Sequence, residues 1–239
     1  MLYYNIGEHV EAFTAGKDAV LPCHVVQSHQ VHGDEIAVIT DPQTTREALE
    51  GYDALMTNVE DCAIGVRTAD CVPILLYDPM HRAVAAVHSG WRGTVLRISD
   101  KVIQRMAIEY GTRASDLRAV IGPCIGPESF VVHSDVTEAF RDASFPMEMI
   151  CKENILAQKT NPVEHEDSFL IDLWQANRWL LEQTGVPSEN IQVAAICTLI
   201  HHDEFYSARY EKNSKCGRNI NAIRLAYEDF LHNPMCAAR

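Results

Sequence analysis

The chain lacks any surplus of basic residues. Twenty Lys and Arg stand against 33 Asp and Glu, for a formal net charge of −13. That argues against nucleic acid as a general partner, because neutralising a phosphate backbone takes a cationic surface. A small anionic substrate is still allowed, since it needs only a local basic pocket. No apolar run reaches the length of a membrane span, so no membrane partner is expected. The opening M-L-Y-Y-N-I-G-E-H has neither a basic n-region nor an apolar h-region, and no secretory signal is read there. The eight cysteines are scattered, with no compact disulfide framework and no C-x-x-C. Free thiols in a reducing cytoplasm are the expectation. None of the 11 histidines forms an H-x-H pair, which argues against a multinuclear copper centre. There is no repeat, low-complexity tract or Pro/Gly/Ser-rich linker. One domain over 1–239 is expected, and a chain of this length buries roughly 70% of its unfolded surface without disulfides.

Short apolar runs are present and read as strands: Glu35–Thr40, Cys62–Arg67, Pro73–Tyr77, Ala83–Val87, Leu117–Ile121, Gln192–Cys197 and Asn219–Leu225. Several are apolar at every position, as in strands covered on both faces. D-P-M-H at 78–81 is a turn, so the two runs beside it should pair antiparallel. Helices are predicted over Gly93–Tyr110, over Asp172–Thr184 with a D-x-x-Q cap and Gly185 as stop, and in a shorter piece from Ser134. Strands and helices mix without strict alternation. The fold class is α/β, a mixed β-sheet between helices.

Three short stretches carry the chemistry: Q-V-H-G (30–33), T-A-D-C-V-P (68–73) and V-H-S-G-W-R-G (87–93). They offer His32, Cys71 and His88. Two imidazoles and a thiolate suit a tetrahedral Zn²⁺ with one open position, the catalytic arrangement. Each residue also has a simpler reading. Cys71 can be a buried apolar side chain, or a nucleophile with His32 or His88 as base. His32 can be a turn residue, and His29 can replace or support it. The strand ending in His88 leads through glycines to a helix N-terminus, where Gly90, Gly93 and Arg92 can hold a phosphate. The alternative is a tight glycine turn with Arg92 in a surface ion pair. Arg67 and Asp70 flank the thiol. Asp70 can orient a ligand histidine or act as general base, Arg67 can pair an anion, or the two can form a structural ion pair. Cys124 in I-G-P-C-I-G-P, and Phe205 and Arg209 in F-Y-S-A-R-Y, are candidate pocket-lining residues, with turn chemistry and core packing as alternatives. His201-His202 reads as a solvated pair. Trp91, Trp174 and Trp179 read as packing residues.

Further segments extend these motifs in order along nearly the whole chain: D-A-L-M-T-N (53–58), G-V-R-T-A-D-C-V-P-I-L-L (65–76), A-A-V-H-S-G-W-R-G-T (85–94), D-L-W-Q-A-N (172–177) and F-Y-S-A-R. With them the sequence resembles the laccase-domain family, also called the polyphenol oxidase or purine nucleoside phosphorylase family. The resemblance implies a single-domain α/β/α sandwich with zinc at the positions of His32, Cys71 and His88. It implies phosphorolysis of adenosine, inosine, guanosine and methylthioadenosine, and deamination of adenosine. Copper-dependent polyphenol oxidation and editing of a peptidoglycan precursor are also assigned in the family. Departures from its pattern fall at Glu128-Ser129-Phe130 and Ala208-Arg209-Tyr210, away from the three metal positions.

Purine nucleoside phosphorolysis fits this local chemistry, with the nucleoside and phosphate as small-molecule partners. Zinc can polarise a substrate or lower the pKa of a bound water, which would also serve adenosine deamination. Copper is the alternative metal, since a His₂Cys set binds it tightly. A zinc amidase acting on a cell-wall precursor would use the same open metal. A non-enzymatic metal-binding module is disfavoured beside an anion pocket. Oligomeric state is not encoded in any of these features.

Overall fold

Strands apolar at every position need two covered faces, and the chain supplies both. The computed structural model describes residues 1–154, 167–212 and 216–226. Along the first half run β1 (Leu2–Tyr4), β2 (Val10–Ala15), β3 (Val26–Gln27), β4 (Glu35–Val38), β5 (Tyr52–Thr57), β6 (Ile64–Thr68), β7 (Val72–Asp78) and β8 (Ala83–Ser89). Two helices follow, α1 (Trp91–Val95) and α2 (Ile98–Tyr110). The second half contains β9 (Arg118–Ile121), β10 (Val131–Val132), α3 (Ser134–Asp142), α4 (Met147–Ile150), β11 (Cys151–Glu153) and β12 (Phe169–Ile171). It closes with α5 (Leu173–Thr184), β13 (Ile191–Val193), α6 (Ala208–Glu211) and β14 (Asn219–Leu225).

A six-stranded mixed sheet, in the order β13-β9-β7-β8-β5-β4, forms the centre. Side chains on successive strand residues point to opposite faces. On one face Ile74, Leu76, Ala85 and Val87 pack with Ile98, Val102 and Met106 of α2 and Leu180 of α5. On the other, Leu75, Tyr77, Val84 and Ala86 pack against Val66, Ile223 and Leu225 of a second sheet. That sheet is five-stranded and mixed, in the order β1-β2-β14-β6-β3. The α/β class and mixed sheets are as expected. One cover of the central sheet is helical and the other is itself a sheet. β2, whose Glu11 and Thr14 break its apolar run, has no expected counterpart. β10, β12 and β11 add a small antiparallel sheet.

The expected hairpin across 78–81 is present, β7 pairing antiparallel with β8 from Val72↔Ser89 to Asp78↔Ala83. The caps of α5 are also as expected: Asp172 accepts from the Gln175 amide, and Gly185 is left-handed at φ 104°. Two elements differ from their predicted form. The helix predicted over 93–110 is two helices, because Arg97 is left-handed (φ 57°, ψ 44°) and turns the axis. That conformation costs a non-glycine residue roughly 1–2 kcal/mol. It lets the guanidinium lie 5.4 Å from the Phe145 and Trp179 ring centroids and donate to Ala143 O. The strand predicted over 192–197 stops at Val193, with Ala195 at φ 53° beyond it. Cys197 meets Cys124 only in an isolated bridge.

The β7–β8 turn is held by Asp78, whose side chain is fully buried. Its carboxylate accepts from the Met80 and His81 amides (2.9 and 3.1 Å) and lies 2.9 Å from His81 Nδ1. Burial raises the Asp78 pKa, but the Thr112 side chain together with these contacts outweighs it and holds the carboxyl below its ordinary value. Its contribution to stability is therefore complete above the unfolded carboxyl value, near 4, and is lost as pH falls through the folded value. Asp78→Ala is expected to cost about 1–3 kcal/mol in denaturant unfolding at neutral pH. Between about pH 5 and pH 3 the wild type should lose more stability than the variant. Parallel losses would remove Asp78 as the source.

Candidate metal centre

The site is assembled at one end of the central sheet by strand parity. The β5–β8 ladder pairs Ala54 with Val87, so one step further Asp53 faces His88. Both side chains then point to the same face as Leu55 and Ala86, between the two sheets. The β7–β8 ladder pairs Pro73 with His88, and its continuation brings Cys71 opposite Gly90.

Asp53 is fully buried, and its carboxylate accepts four hydrogen bonds. Three come from successive amides of the loop after β3: Val31 (3.1 Å), His32 (3.0 Å) and Gly33 (2.8 Å). The fourth partner is His88 Nδ1 at 2.7 Å. The loop wraps the carboxylate and holds His32 left-handed at φ 64°. Gln30 docks the same loop on β6, donating to Arg67 O (2.9 Å) and accepting from Arg67 N (2.8 Å). These two bonds imitate a further rung beyond the β3–β6 ladder, which ends at Gln27↔Gly65.

His32, Cys71 and His88 each offer a ligand atom, and all three atoms lie within 4.8 Å of one another. The His32 and His88 rings meet edge-on with centroids 4.9 Å apart. Asp53 occupies Nδ1 of His88, which leaves Nε2 as the coordinating nitrogen. Burial would raise the Cys71 pKa, but the facing His88 and His32 outweigh it and bring the thiol down to about 6. Burial would lower His88, yet Cys71 and Asp53 together hold it raised. Thiol and imidazole therefore each favour the charged form of the other. A metal ion requires the thiolate and would displace the imidazole proton. The donor set suits zinc or copper. Space is kept in front of it by Gly90: a Cβ there would stand 3.1 Å from Cys71 Sγ and 3.4 Å from His32 Cδ2. These residues could hold one metal ion with a position open to substrate.

The group faces a cavity of about 500 Å³ that is also lined by Arg46, Arg67, Arg218, His29 and Ala208. Another hollow of about 520 Å³, beside Asn5, Tyr77, Arg82 and Arg118, contains none of these donors. Volume alone does not distinguish the site.

The other predicted residues divide between the cavity and its surroundings. Arg67 and His29 line it, and Gly90 abuts the donors. Asp70 does not line it. It is left-handed at φ 84°, and its carboxylate accepts from Thr198 Oγ1 (2.6 Å) and from the Arg209 amide at the start of α6 (2.7 Å). The acceptor that orients His88 is Asp53, which corrects the expectation placed on Asp70. Arg67 and Asp70 make no ion pair. Arg92 is exposed, its guanidinium 4.2 Å from the Trp91 ring centroid, outside the cavity. Gly93 is buried in α1, where a Cβ would come within 3.3 Å of His88 O. Cys124 is fully buried and its sulfur accepts from Trp174 Nε1 at 2.8 Å. Phe205 is buried, and Arg209 lies over Phe130 and donates to Val131 O. Sequence reasoning missed Asp53, Gln30, Arg46 and Arg218 as site residues. For Asp53 a signal existed: one acid in an otherwise apolar Tyr52–Thr57 run.

Comparison with known proteins shows what the chain as a whole is similar to. A family described as multi-copper polyphenol oxidoreductase laccase matches residues 8–226. A purine nucleoside phosphorylase of Bacteroides thetaiotaomicron is 40% identical over 209 residues, 87% of this chain and 74% of that protein. Adenosine deaminase RL5, from an unknown prokaryotic organism, is 39% identical over 191 residues, 77% of this chain and 69% of its own length. The crystal structure of Bacillus licheniformis hypothetical protein YfiH superposes with a TM-score of 0.74 at 30% identity, covering 84% of this chain and 74% of that one.

Two substitutions test the construction. Asp53→Asn puts an amide donor among four donors, and should weaken zinc binding about ten- to a hundredfold in competition with a chromogenic chelator. Gly90→Ala should weaken it too, with little change in the thermal unfolding of the metal-free protein. Wild-type affinity in both variants would show that neither residue supports the ligand set.

Proposed function

This chain belongs to the multi-copper polyphenol oxidoreductase laccase family, and on that premise we propose that it is a zinc-dependent purine nucleoside phosphorylase. The substrates proposed are adenosine, inosine, guanosine and methylthioadenosine, with adenosine deamination as a second activity of the same site. The whole of 1–239 is read as one domain working in the cytoplasm. Among the described residues no helix is long and apolar enough to cross a membrane.

The observation that carries this reading is the open His32–Cys71–His88 group sharing one cavity with three arginines. In phosphorolysis a phosphate oxygen attacks C1′ of the ribose and the C1′–N9 bond breaks. The electron pair leaves on the purine, which must be protonated or polarised. A bound divalent metal supplies Lewis-acid polarisation. The chain's own groups do the rest. Asp53 fixes the His88 ring and keeps Nδ1 occupied. The Asp53-wrapped loop holds His32 in place. The cationic side of the cavity attracts the anionic co-substrate. Deamination needs water in place of phosphate, adds oxygen at C6 and releases ammonia, so it can share the pocket. The 39%-identical relative named as an adenosine deaminase supports that second activity.

Copper-dependent polyphenol oxidation is the alternative within the family, and the donor set would take copper. One three-donor group is what the described residues offer, whereas a multicopper centre needs several. A zinc amidase acting on a cell-wall precursor would use the same open position.

Zinc-loaded protein given adenosine with phosphate is expected to yield adenine and ribose-1-phosphate by mass spectrometry, and neither product without phosphate. His88→Ala should abolish both. Inosine alone would move the assignment to deamination. No turnover of adenosine, inosine, guanosine or methylthioadenosine would reject the purine reading, and oxidation of a phenol by the copper-loaded form would then favour the oxidase.

A further inference from the structure

We propose that Arg46, Arg67 and Arg218 form a phosphate subsite in this cavity, taking a phosphate dianion beside the His32–Cys71–His88 group. The inference rests on the proposed phosphorolysis only for the dianion's role as attacking group.

The three arginines come from distant parts of the chain. Arg46 opens a single 3₁₀ turn, Arg67 is on β6, and Arg218 immediately precedes β14. All three line the cavity that holds the ligand group. Among the described residues none of them has an ion-pair partner, in a chain where acids outnumber bases by 33 to 20. The nearby Glu50 carboxylate lies 2.6 Å from His29 Nδ1. Arg46 Nε donates to Ser28 O at 3.1 Å, and Arg218 Nη1 donates to Cys216 O and Gly217 O. These bonds aim two guanidinium groups, and among the described residues the other donors on each have no hydrogen-bond partner. Among the described residues the Arg67 guanidinium has no hydrogen-bond partner, although its backbone is clamped on both sides by Gln30. Burial, then Arg46 and Arg218, hold the Arg67 pKa below its ordinary value.

Like charges on one cavity wall repel one another, and a bound anion relieves that repulsion, most of all at half-buried Arg67, since water and salt already screen the exposed Arg46 and Arg218. Guanidinium forks match tetrahedral oxyanions in paired hydrogen bonds. The anion site expected at Gly90, Arg92 and Gly93 has weaker support. The helix there has five residues, and Arg92 is stacked on Trp91 outside the cavity. The phosphate can be free or carried as a monoester on a nucleoside. Both present the same dianion.

The test is calorimetric titration of zinc-loaded protein with inorganic phosphate and, separately, with adenosine monophosphate. Arg67→Gln and Arg218→Gln should each weaken phosphate binding about ten- to a hundredfold, the scale of a lost charge-assisted contact. Arg67→Lys should recover part of it, and Arg92→Gln should stay within about twofold of wild type. Melting without ligand should leave Arg67→Gln at least as stable as wild type, because a repelling charge has gone. The KM for phosphate should rise in parallel with the dissociation constant, with the nucleoside KM little changed. Unchanged phosphate binding in both Gln variants, with phosphorolysis intact, would overturn the subsite and leave the function standing. Arginine-dependent phosphate binding without nucleoside turnover would uphold the subsite and reject the function. Arginine-dependent binding of the monoester alone would uphold the subsite and assign it to an esterified substrate. Binding of neither ligand would overturn it.

Discussion

One buried carboxylate holds the site together. Asp53 is fully removed from water, a position an acid occupies only when its charge is matched. The match is complete here: three loop amides and one imidazole nitrogen converge on it. Those four bonds join the loop after β3 to the ends of β5 and β8. His32 is thereby fixed in a left-handed conformation that a free loop would seldom visit. His88 is fixed in ring orientation and in tautomer. Cys71 is affected indirectly, because the imidazoles that lower its pKa are the ones Asp53 positions. A carboxylate, an imidazole and a thiolate thus form one electrostatic chain, running from the sheet interior to the cavity wall.

Much of this was legible in the sequence, and what was hidden has physical reasons. The β7–β8 pair could be read because both strands are apolar throughout and D-P-M-H is unambiguous turn chemistry. The two ends of α5 could be read from Asp172 and Gly185. His32, Cys71 and His88 could be picked by ligand chemistry alone, and they do converge. β5 was not read as a strand, because an aspartate inside Tyr52–Thr57 interrupts the apolar pattern. The interruption was itself the site's organising residue. The helix break at Arg97 left no mark in the periodicity, because Val95, Ile98, Val102 and Met106 keep one stripe across it. Asp70 was credited with orienting a histidine from its proximity to Cys71 in sequence. Asp70 lies in the bend between β6 and β7, where its left-handed backbone (φ 84°) turns the carboxylate to Thr198 and α6 instead.

The arginines were hidden for a different reason. Arg46 and Arg218 belong to no motif, and only the fold brings them to Arg67. The two-sheet arrangement is what does this. β6 and β14 lie side by side in the five-stranded sheet, with Asn219 paired to Thr68, so Arg67 and the residue before β14 share an edge. The sheet that covers one face of the central strands also carries the cationic wall of the cavity. Cys71 and His88 come from the ends of β7 and β8 in the other sheet, and His32 from the loop that leads from β3 to β4. The cavity lies where the two sheets' ends meet.

That division separates two chemical tasks. The ends of the central strands and the Asp53-wrapped loop supply the donors, and Arg67 and Arg218 of the second sheet, with Arg46, supply fixed positive charge that no proton equilibrium alters near neutral pH. A site that only captured metal would gain nothing from three arginines beside it, since they repel a divalent ion. A site that only captured anions would have no use for a His₂Cys donor set. On the proposed reading, their coexistence in one cavity serves a substrate pair containing both an anion and a neutral group to be polarised. Phosphate with a nucleoside is such a pair. A neutral phenol is not, and it leaves the three arginines without a task.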